Sequence, residues 1–327
     1  MSDLLEYCTV CRAFLDEEDL FCPNCGTEAP HREEQQTAVD TFVSTHNFAC
    51  RGCGASMSYD ASAQTLRCPF CGSAQLDEQQ DAKTLAPRHI VPFEVKHDAA
   101  VAAMRQWLKQ GFWRPSDLAH SAAITKITAV YVPYWVFSAR TYSFWTADSS
   151  QTPPGARGDW FPVSGDHRDE YGGLLIGASG ALTPAETSAL RPFDLNKAIS
   201  PEKIDLENSV FEQFRVQRKY ARPLARQGFE ELIRHECGQR VPGNSRNLKI
   251  NVRVEGLTSE AIFLPVWIMA YRYQDNVFRF LINGQTGKAT GQAPTSWQKV
   301  LLVGGVTVLC VAVVLLAIAI CSGALSR

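Results

Sequence analysis

The sequence predicts an α+β protein with two small N-terminal four-cysteine ribbons, a duplicated α/antiparallel-β body and one C-terminal transmembrane helix. Three observations predict it. Eight cysteines stand in four CxxC pairs near the start, an apolar Pro-x-Trp segment occurs twice in the middle, and an uncharged stretch runs from Val300 to Cys321. A length of 327 residues allows several compact units at about 100–200 residues each. A composition of 45% apolar and 20% charged residues excludes wholesale disorder.

The pairs are Cys8/Cys11, Cys22/Cys25, Cys50/Cys53 and Cys68/Cys71. Ten residues separate the first two pairs, fourteen the last two, and twenty-four lie between Cys25 and Cys50, so two short-range quartets are the economical partition. Two intervening residues let both sulfurs of a tight turn reach one ion, and four thiolates in a tetrahedron suit Zn2+. Gly26, Gly54 and Gly72 follow three of the pairs, where a left-handed backbone aims amide N–H groups at the sulfurs. The first knuckle, Cys8-Thr-Val-Cys-Arg, lacks that glycine, which predicts weaker metal binding there.

Disulfides would need an oxidising compartment, and the start, Met1-Ser-Asp-Leu-Leu-Glu, lacks the basic region and apolar core of a signal peptide. Thioredoxin-like chemistry uses a single CxxC before a helix. A rubredoxin-like iron site shares the Cys-Pro-x-Cys-Gly turn but has longer loops. The expectation is two structural Zn2+ ions, in ribbon one (residues 1–30) and ribbon two (48–74), with linkers at 31–47 and 75–88. Each ribbon is too small for a core of its own, so the metal supplies its folding free energy and the body stands apart from it.

The twenty-two residues from Val300 to Cys321 carry no charge and, at about 1.5 Å per residue, cross a hydrocarbon core of about 30 Å. Trp297 and Lys299 sit where an interfacial anchor belongs, giving a membrane segment at 297–321 and a tail at 322–327. Lys288 and Lys299 before the span and Arg327 after it leave orientation undecided, but eight zinc thiolates require a reducing cytosol. The chain therefore reads as single-pass in the plasma membrane, its N-terminal bulk in the cytoplasm and its bilayer contact made by Val300 to Cys321.

Between these ends lie two units, 89–190 and 191–296. Asp98 can cap a helix over 99–109, with Val101, Met104 and Leu108 on one face and Gly111 as its stop. Strands are predicted at 128–145, 160–164 and 173–178. Pro223 fits the first turn of a helix ending near Arg240, and strands follow at 248–254, 262–273 and 277–282. The segment Tyr131-Val-Pro-Tyr-Trp-Val-Phe recurs as Phe263-Leu-Pro-Val-Trp-Ile-Met, each time after a helix, which predicts the duplication.

Paired ribbons, then Val130-Tyr-Val-Pro-Tyr-Trp, Phe263-Leu-Pro-Val-Trp-Ile-Met-Ala-Tyr-Arg-Tyr and Phe280-Leu-Ile-Asn-Gly-Gln-Thr-Gly-Lys, make a chain that resembles a bacterial group of zinc-ribbon membrane proteins. The group is often labelled transcription-factor-IIB-type zinc ribbon, or primosomal protein N′ (replication factor Y) helicase-like. The likeness covers nearly the whole chain, its most specific piece running from Pro265 to Lys288. It implies architecture and membrane attachment.

The helicase label fails on the residues. A P-loop needs G-x4-G-K-[ST], but Ile282 stands at the first Gly position and Ala289 where the Mg2+ hydroxyl belongs, so 277–290 reads as a β-hairpin with a glycine bulge. Gly165-Asp-His-Arg-Asp-Glu reads as a solvated turn, and His235-Glu-Cys237 lacks a visible orienting partner for an activated thiol. Four thiolates leave zinc no open position for water, so no catalytic site is predicted.

The expected function is a non-catalytic protein–protein adaptor at the membrane, its partners other membrane-associated proteins. The alternative is a membrane-tethered nucleic-acid-binding regulator. Up to Gln80 thirteen acidic side chains face four basic ones, all arginine, and each zinc with its four thiolates adds a formal −2, which argues against nucleic acid. A basic run, Arg215-Val-Gln-Arg-Lys-Tyr-Ala-Arg222 with Arg226, also reads as a solvated helix start or a lipid-facing surface.

Overall fold

The computed structural model describes residues 6–12, 14–15, 27, 41–43, 47–58, 67–79, 83–109, 111–118, 123–124, 127–205, 209–274 and 276–325. Its elements in chain order are β1 (Glu6–Tyr7), β2 (Phe14–Leu15), β3 (Thr41–Val43), β4 (Asn47–Cys50), β5 (Ser56–Ser58), β6 (Leu76–Gln79), β7 (Lys83–Leu85) and β8 (His89–Ile90). There follow α1 (His97–Lys109), β9 (Ala123–Ile124), β10 (Thr128–Ser149), β11 (Phe161–Gly177) and α2 (Pro184–Ala189). The remainder comprises β12 (Phe211–Glu212), α3 (Arg218–Arg240), β13 (Ser245–Tyr273), β14 (Asn276–Asn283), β15 (Ala289–Gly291) and α4 (Trp297–Leu325). The chain is a mixed α/β protein with, among the described residues, a single candidate apolar membrane helix at the C-terminal end.

The body is organised by β10 and β13, 22 and 29 residues long, which pair antiparallel along nearly their whole length. From Val130 to Trp135 and from Ala261 to Tyr271 every residue is buried, because both faces of the sheet are covered there. Beyond that crossing the pattern alternates: Ala139, Thr141, Ser143, Trp145 and Ala147 turn inward, while Arg140, Tyr142, Phe144 and Thr146 face solvent. Gly256, at φ +59°, takes up the register shift between the Ser138–Thr258 and Arg140–Glu255 pairs, so the two strands expected at 248–254 and 262–273 run on as one.

A second expectation gives way in β11. The stretch 165–170, expected as a turn between two strands, lies inside one continuous strand paired with β10. Gly165 sits there because Trp145 lies across it; a Cβ at that position would come within 2.6 Å of the indole. Charged side chains are tolerated because one face of β11 meets solvent.

The helices pack on this sheet by stripes at four-residue spacing. In α1 the buried residues are Ala100, Met104 and Leu108, with Val101 half-buried, and the helix begins at His97, so Asp98 falls within its first turn. In α3 they are Ala221, Ala225, Phe229, Ile233 and Cys237. That helix starts at Arg218, so Pro223 is inside it and removes the N–H that would bond to the Lys219 carbonyl.

The two Pro-x-Trp segments pair with each other: Tyr131 opposes Pro265 and Pro133 opposes Phe263. The indole of Trp135 donates to the Val216 carbonyl at 2.8 Å, and that of Trp267 to the Val95 carbonyl at 2.9 Å. Each acceptor lies two residues before a helix. Phe214 packs 5.2 Å from Trp135, and Phe93 packs 5.2 Å from Trp267. Strand β12 runs parallel to β10 at Tyr131, and β8 runs parallel to β13 at Phe263.

Candidate metal centre and its surroundings

Ribbon two is built from two identical turns. In the first, the Gly54 N–H donates to the Cys50 carbonyl at 2.9 Å; in the second, the Gly72 N–H donates to the Cys68 carbonyl at 2.8 Å. Both glycines sit at φ +74°, the left-handed conformation that an L side chain strains to adopt. The turns free backbone N–H groups to face sulfur: Ala55 donates to Cys53, Phe70 to Cys68 and Ser73 to Cys71. Gly52 leaves room for the Cys71 sulfur, which a Cβ there would approach to 3.3 Å.

These turns bring the Sγ atoms of Cys50, Cys53, Cys68 and Cys71 within 4.8 Å of one another. Cys50 and Cys71 stand 3.5 Å apart, and Cys53 and Cys68 3.6 Å apart. A tetrahedral ion with metal–sulfur bonds of about 2.3 Å needs sulfurs about 3.8 Å apart, so the quartet fits such an ion with little movement. Ionising one sulfur burdens the others. The hydrogen bond with Cys68 draws the Cys53 thiol down to about 5, while burial pushes Cys71 up to about 11 and the bond with Cys53 raises Cys68 further. A divalent cation at the centre removes that penalty.

Its setting was not foreseen. Strands β4, β5 and β6 form a small antiparallel sheet, so Leu76–Gln79, expected in a linker, closes the ribbon against Asn47–Cys50. Strand β5 then pairs with β12 at Phe211–Ser58 and Glu212–Met57, placing the ribbon in the same eleven-stranded sheet as the body. Cys50, Met57, Cys68 and Phe70 are buried in one apolar cluster with Val130, Val132, Tyr134 and Leu264. The ribbon does not stand apart: one face of its four-cysteine site is a wall of the body's core. The other expected linker contributes Thr41–Val43, which pairs with Lys83–Leu85.

Glu212 sits at this seam, completely buried. Its Oε1 accepts hydrogen bonds from Ser179 Oγ at 2.9 Å, the Gly180 N–H at 2.8 Å and the Ala181 N–H at 3.0 Å. Its Oε2 has no partner among the described residues. Burial pushes its pKa up to about 7, outweighing the three donors.

Of ribbon one, Cys8 and Cys11 are described, and Cys22 and Cys25 lie outside the described residues. The Cys8 turn repeats the knuckle geometry, with the Arg12 N–H donating to the Cys8 carbonyl at 3.0 Å. Arg12 adopts φ +60°, the conformation that Gly54 and Gly72 adopt in ribbon two.

Other groups singled out in the sequence fall elsewhere. His167 is buried on β11 and its Nε2 lies 3.0 Å from Glu236 Oε2 on α3, with Asp169 at 3.9 Å. Tyr171 Oη donates to the same Glu236 oxygen at 2.6 Å, so the cluster fastens α3 to the sheet. Cys237 is fully buried 3.6 Å from Ser143 Oγ, while His235, two positions away on the helix, pairs with Gln239. Residues 283–288 make the expected hairpin turn: Asn283 Oδ1 accepts from the Gln285 and Thr286 N–H groups, Gly287 takes φ +78°, and β15 follows. In the basic run, Arg215 reaches the Ser56 hydroxyl of the ribbon, and Lys219 lies 5.0 Å over the Tyr220 ring.

Helix α4 is long and apolar enough to cross a membrane, with a mean hydropathy of 2.2 over Trp297–Leu315. On it Leu301 and Val308 are 74% and 69% exposed.

No family model matches the chain, and no solved structure matches it. It is similar to the "Uncharacterized protein YdjG" of Bacillus subtilis (strain 168), with 25% identity over 228 residues, covering 66% of each chain. The match spans just under two thirds of that protein's length.

Proposed function

We propose that the chain is a single-pass zinc-ribbon protein of the plasma membrane, its bulk in the cytosol, acting as a non-catalytic adaptor for other membrane-associated proteins. The observation that carries the reading is the continuity of one sheet from the four-cysteine site through β5, β12, β10, β13 and β14 to β15, which five residues separate from α4. Such a body holds its surfaces at a fixed attitude to the helix that carries it, which suits presentation of a partner. The soft thiolate set favours Zn2+, and four thiolates leave that ion no open position for substrate. Affinity capture from detergent-solubilised membranes, with and without nuclease, tests the proposal. Membrane proteins recovered irrespective of nuclease support it; recovery of nucleic acid that nuclease abolishes favours a tethered regulator instead.

We also infer that the body is a duplicated α/antiparallel-β unit. In support, the starts of the two repeated segments pair antiparallel about Val132 and Leu264, each indole reaches the carbonyl two residues before a helix, and each unit's short strand runs parallel to the other unit's long one. An experimental structure in which 89–149 and 211–273 superpose only over the Pro-x-Trp segments would count against it.

A further inference from the structure

The loop after α1 exposes two aromatic side chains where water gives them nothing. Gly111, at φ +114°, ends the helix; Phe112 and Trp113 follow, 66% and 47% exposed, their rings edge to face at 5.1 Å. The loop is held on both sides. The Arg114 guanidinium stacks 3.7 Å over the Trp107 ring and donates to the Trp107 carbonyl. From the other side the Ser296 N–H donates to the Trp113 carbonyl at 2.7 Å, and Lys299 Nζ donates to the Arg114 carbonyl at 2.7 Å.

Those last two bonds set the loop's depth. They tie it to the start of α4, so Phe112 lies beside Leu302 and Val303 around an open notch of about 330 Å3 that Gln298 and Lys299 also line. At about 1.5 Å per residue these two side chains stand about 3–5 Å beyond Val300, near the depth of about 5–10 Å to which interfacial apolar faces sink. Trp297, 74% exposed, stands about 4–5 Å on the aqueous side of Val300, where an interfacial anchor belongs. A neighbouring, more polar notch of about 420 Å3 is lined by Lys109, Arg114 and Lys299, cations placed where phospholipid headgroups lie.

We propose that residues 111–115 form a second membrane contact, with Phe112 and Trp113 in the interfacial layer of a phospholipid bilayer, docking α1 and the body at a fixed attitude. The occupant follows from continuity: Phe112 lines one notch with Leu302 and Val303, and Trp113 packs edge to face on Phe112, so the pair adjoins the apolar surface of α4. The inference rests on α4 spanning that bilayer.

The test uses the full chain labelled with fluorotryptophan, reconstituted into vesicles of equal parts phosphatidylcholine and phosphatidylglycerol. Trp113→Phe and Trp297→Phe assign the two resonances; both leave the backbone bonds in place. A phospholipid spin-labelled near the ester end of its chain is expected to cost the spectrum both resonances, and a water-soluble relaxation agent to spare Trp113. Loss of Trp297 alone, with Trp113 bleached from the water side, overturns the loop contact and leaves the span standing. Retention of both resonances overturns the span as well. A Trp113 signal reached by neither agent places it against protein and overturns the lipid assignment.

Discussion

Phe211 lies directly opposite Ser58 in the strand pair that joins the four-cysteine ribbon to the body. Phe211 is 1% and Ser58 2% exposed, so the seam is interior structure and not a surface contact.

The first prediction follows from that seam. Stripping the metal with a strong chelator, or replacing Cys68 by Ser, should destabilise the whole body and not the ribbon alone, because Cys68 is 1% exposed within the cluster that holds Val132 and Leu264. Loss of a buried thiolate set and its ion is expected to cost several kcal/mol, on the order of 2–5. Thermal unfolding followed by near-UV circular dichroism of the body's tryptophans checks this. An unchanged midpoint would mean that the two parts fold independently.

Arg12 gives the second. It holds φ +60° in a turn whose counterparts are Gly54 and Gly72, and a left-handed non-glycine residue costs about 1 kcal/mol or somewhat more. Arg12→Gly should therefore stabilise ribbon one by about 1 kcal/mol and tighten its hold on metal. Competition with a chromophoric chelator measures the change; equal or weaker retention would contradict it.

Glu212 supplies a pH dependence with a definite sign. Its folded pKa is raised from 4.5 to about 7 by burial, so the folded chain keeps a proton that the unfolded chain has released. The resulting stability is complete below about pH 4.5 and is lost as pH rises through about 7. Between about pH 5.5 and about pH 8 wild type should lose about 2 kcal/mol from this group. Glu212→Gln keeps an oxygen for Ser179, Gly180 and Ala181 and has no proton to lose, so its stability should fall less over that interval. Parallel denaturant titrations at the two pH values decide; identical slopes with pH would show that Glu212 does not titrate there.

A chain ending at Gln298 tests the anchor. With the apolar part of α4 gone, the protein should become soluble and ribbon two should keep its fit for metal, since β4, β5 and β6 lie at the opposite end of the sheet order from β15, the strand that precedes α4. Ultracentrifugation after an alkaline wash, with metal analysis of the supernatant, measures both. Retention in the pellet would place the anchor elsewhere.

What could be read from the sequence was what short-range geometry fixes. Two residues between cysteines determine that both sulfurs of a turn meet, and the quartet at Cys50, Cys53, Cys68 and Cys71 assembled as its spacing predicts. The apolar run starting at Val300 had to be a helix long enough for a bilayer, and the glycines around Asn283 had to make a hairpin turn. Ribbon one's second pair, Cys22 and Cys25, lies outside the described residues.

What only the tertiary structure decided were pairings between distant segments. Strand β12 is two residues long, with no periodicity to announce it, yet its bonds to Ser58 and Met57 merge ribbon and body. The run of charge at 165–170 suggested a turn, and became strand because Trp145 needs Gly165 beneath it and one face of β11 is open to water. Nothing in the sequence around Glu212 announces that the sheet closes over it. Local spacing and hydropathy determine which elements exist. Register and burial arise from contacts between segments separated in the chain, as between Met57 and Glu212, and these set where the four-cysteine site sits and which groups share its core.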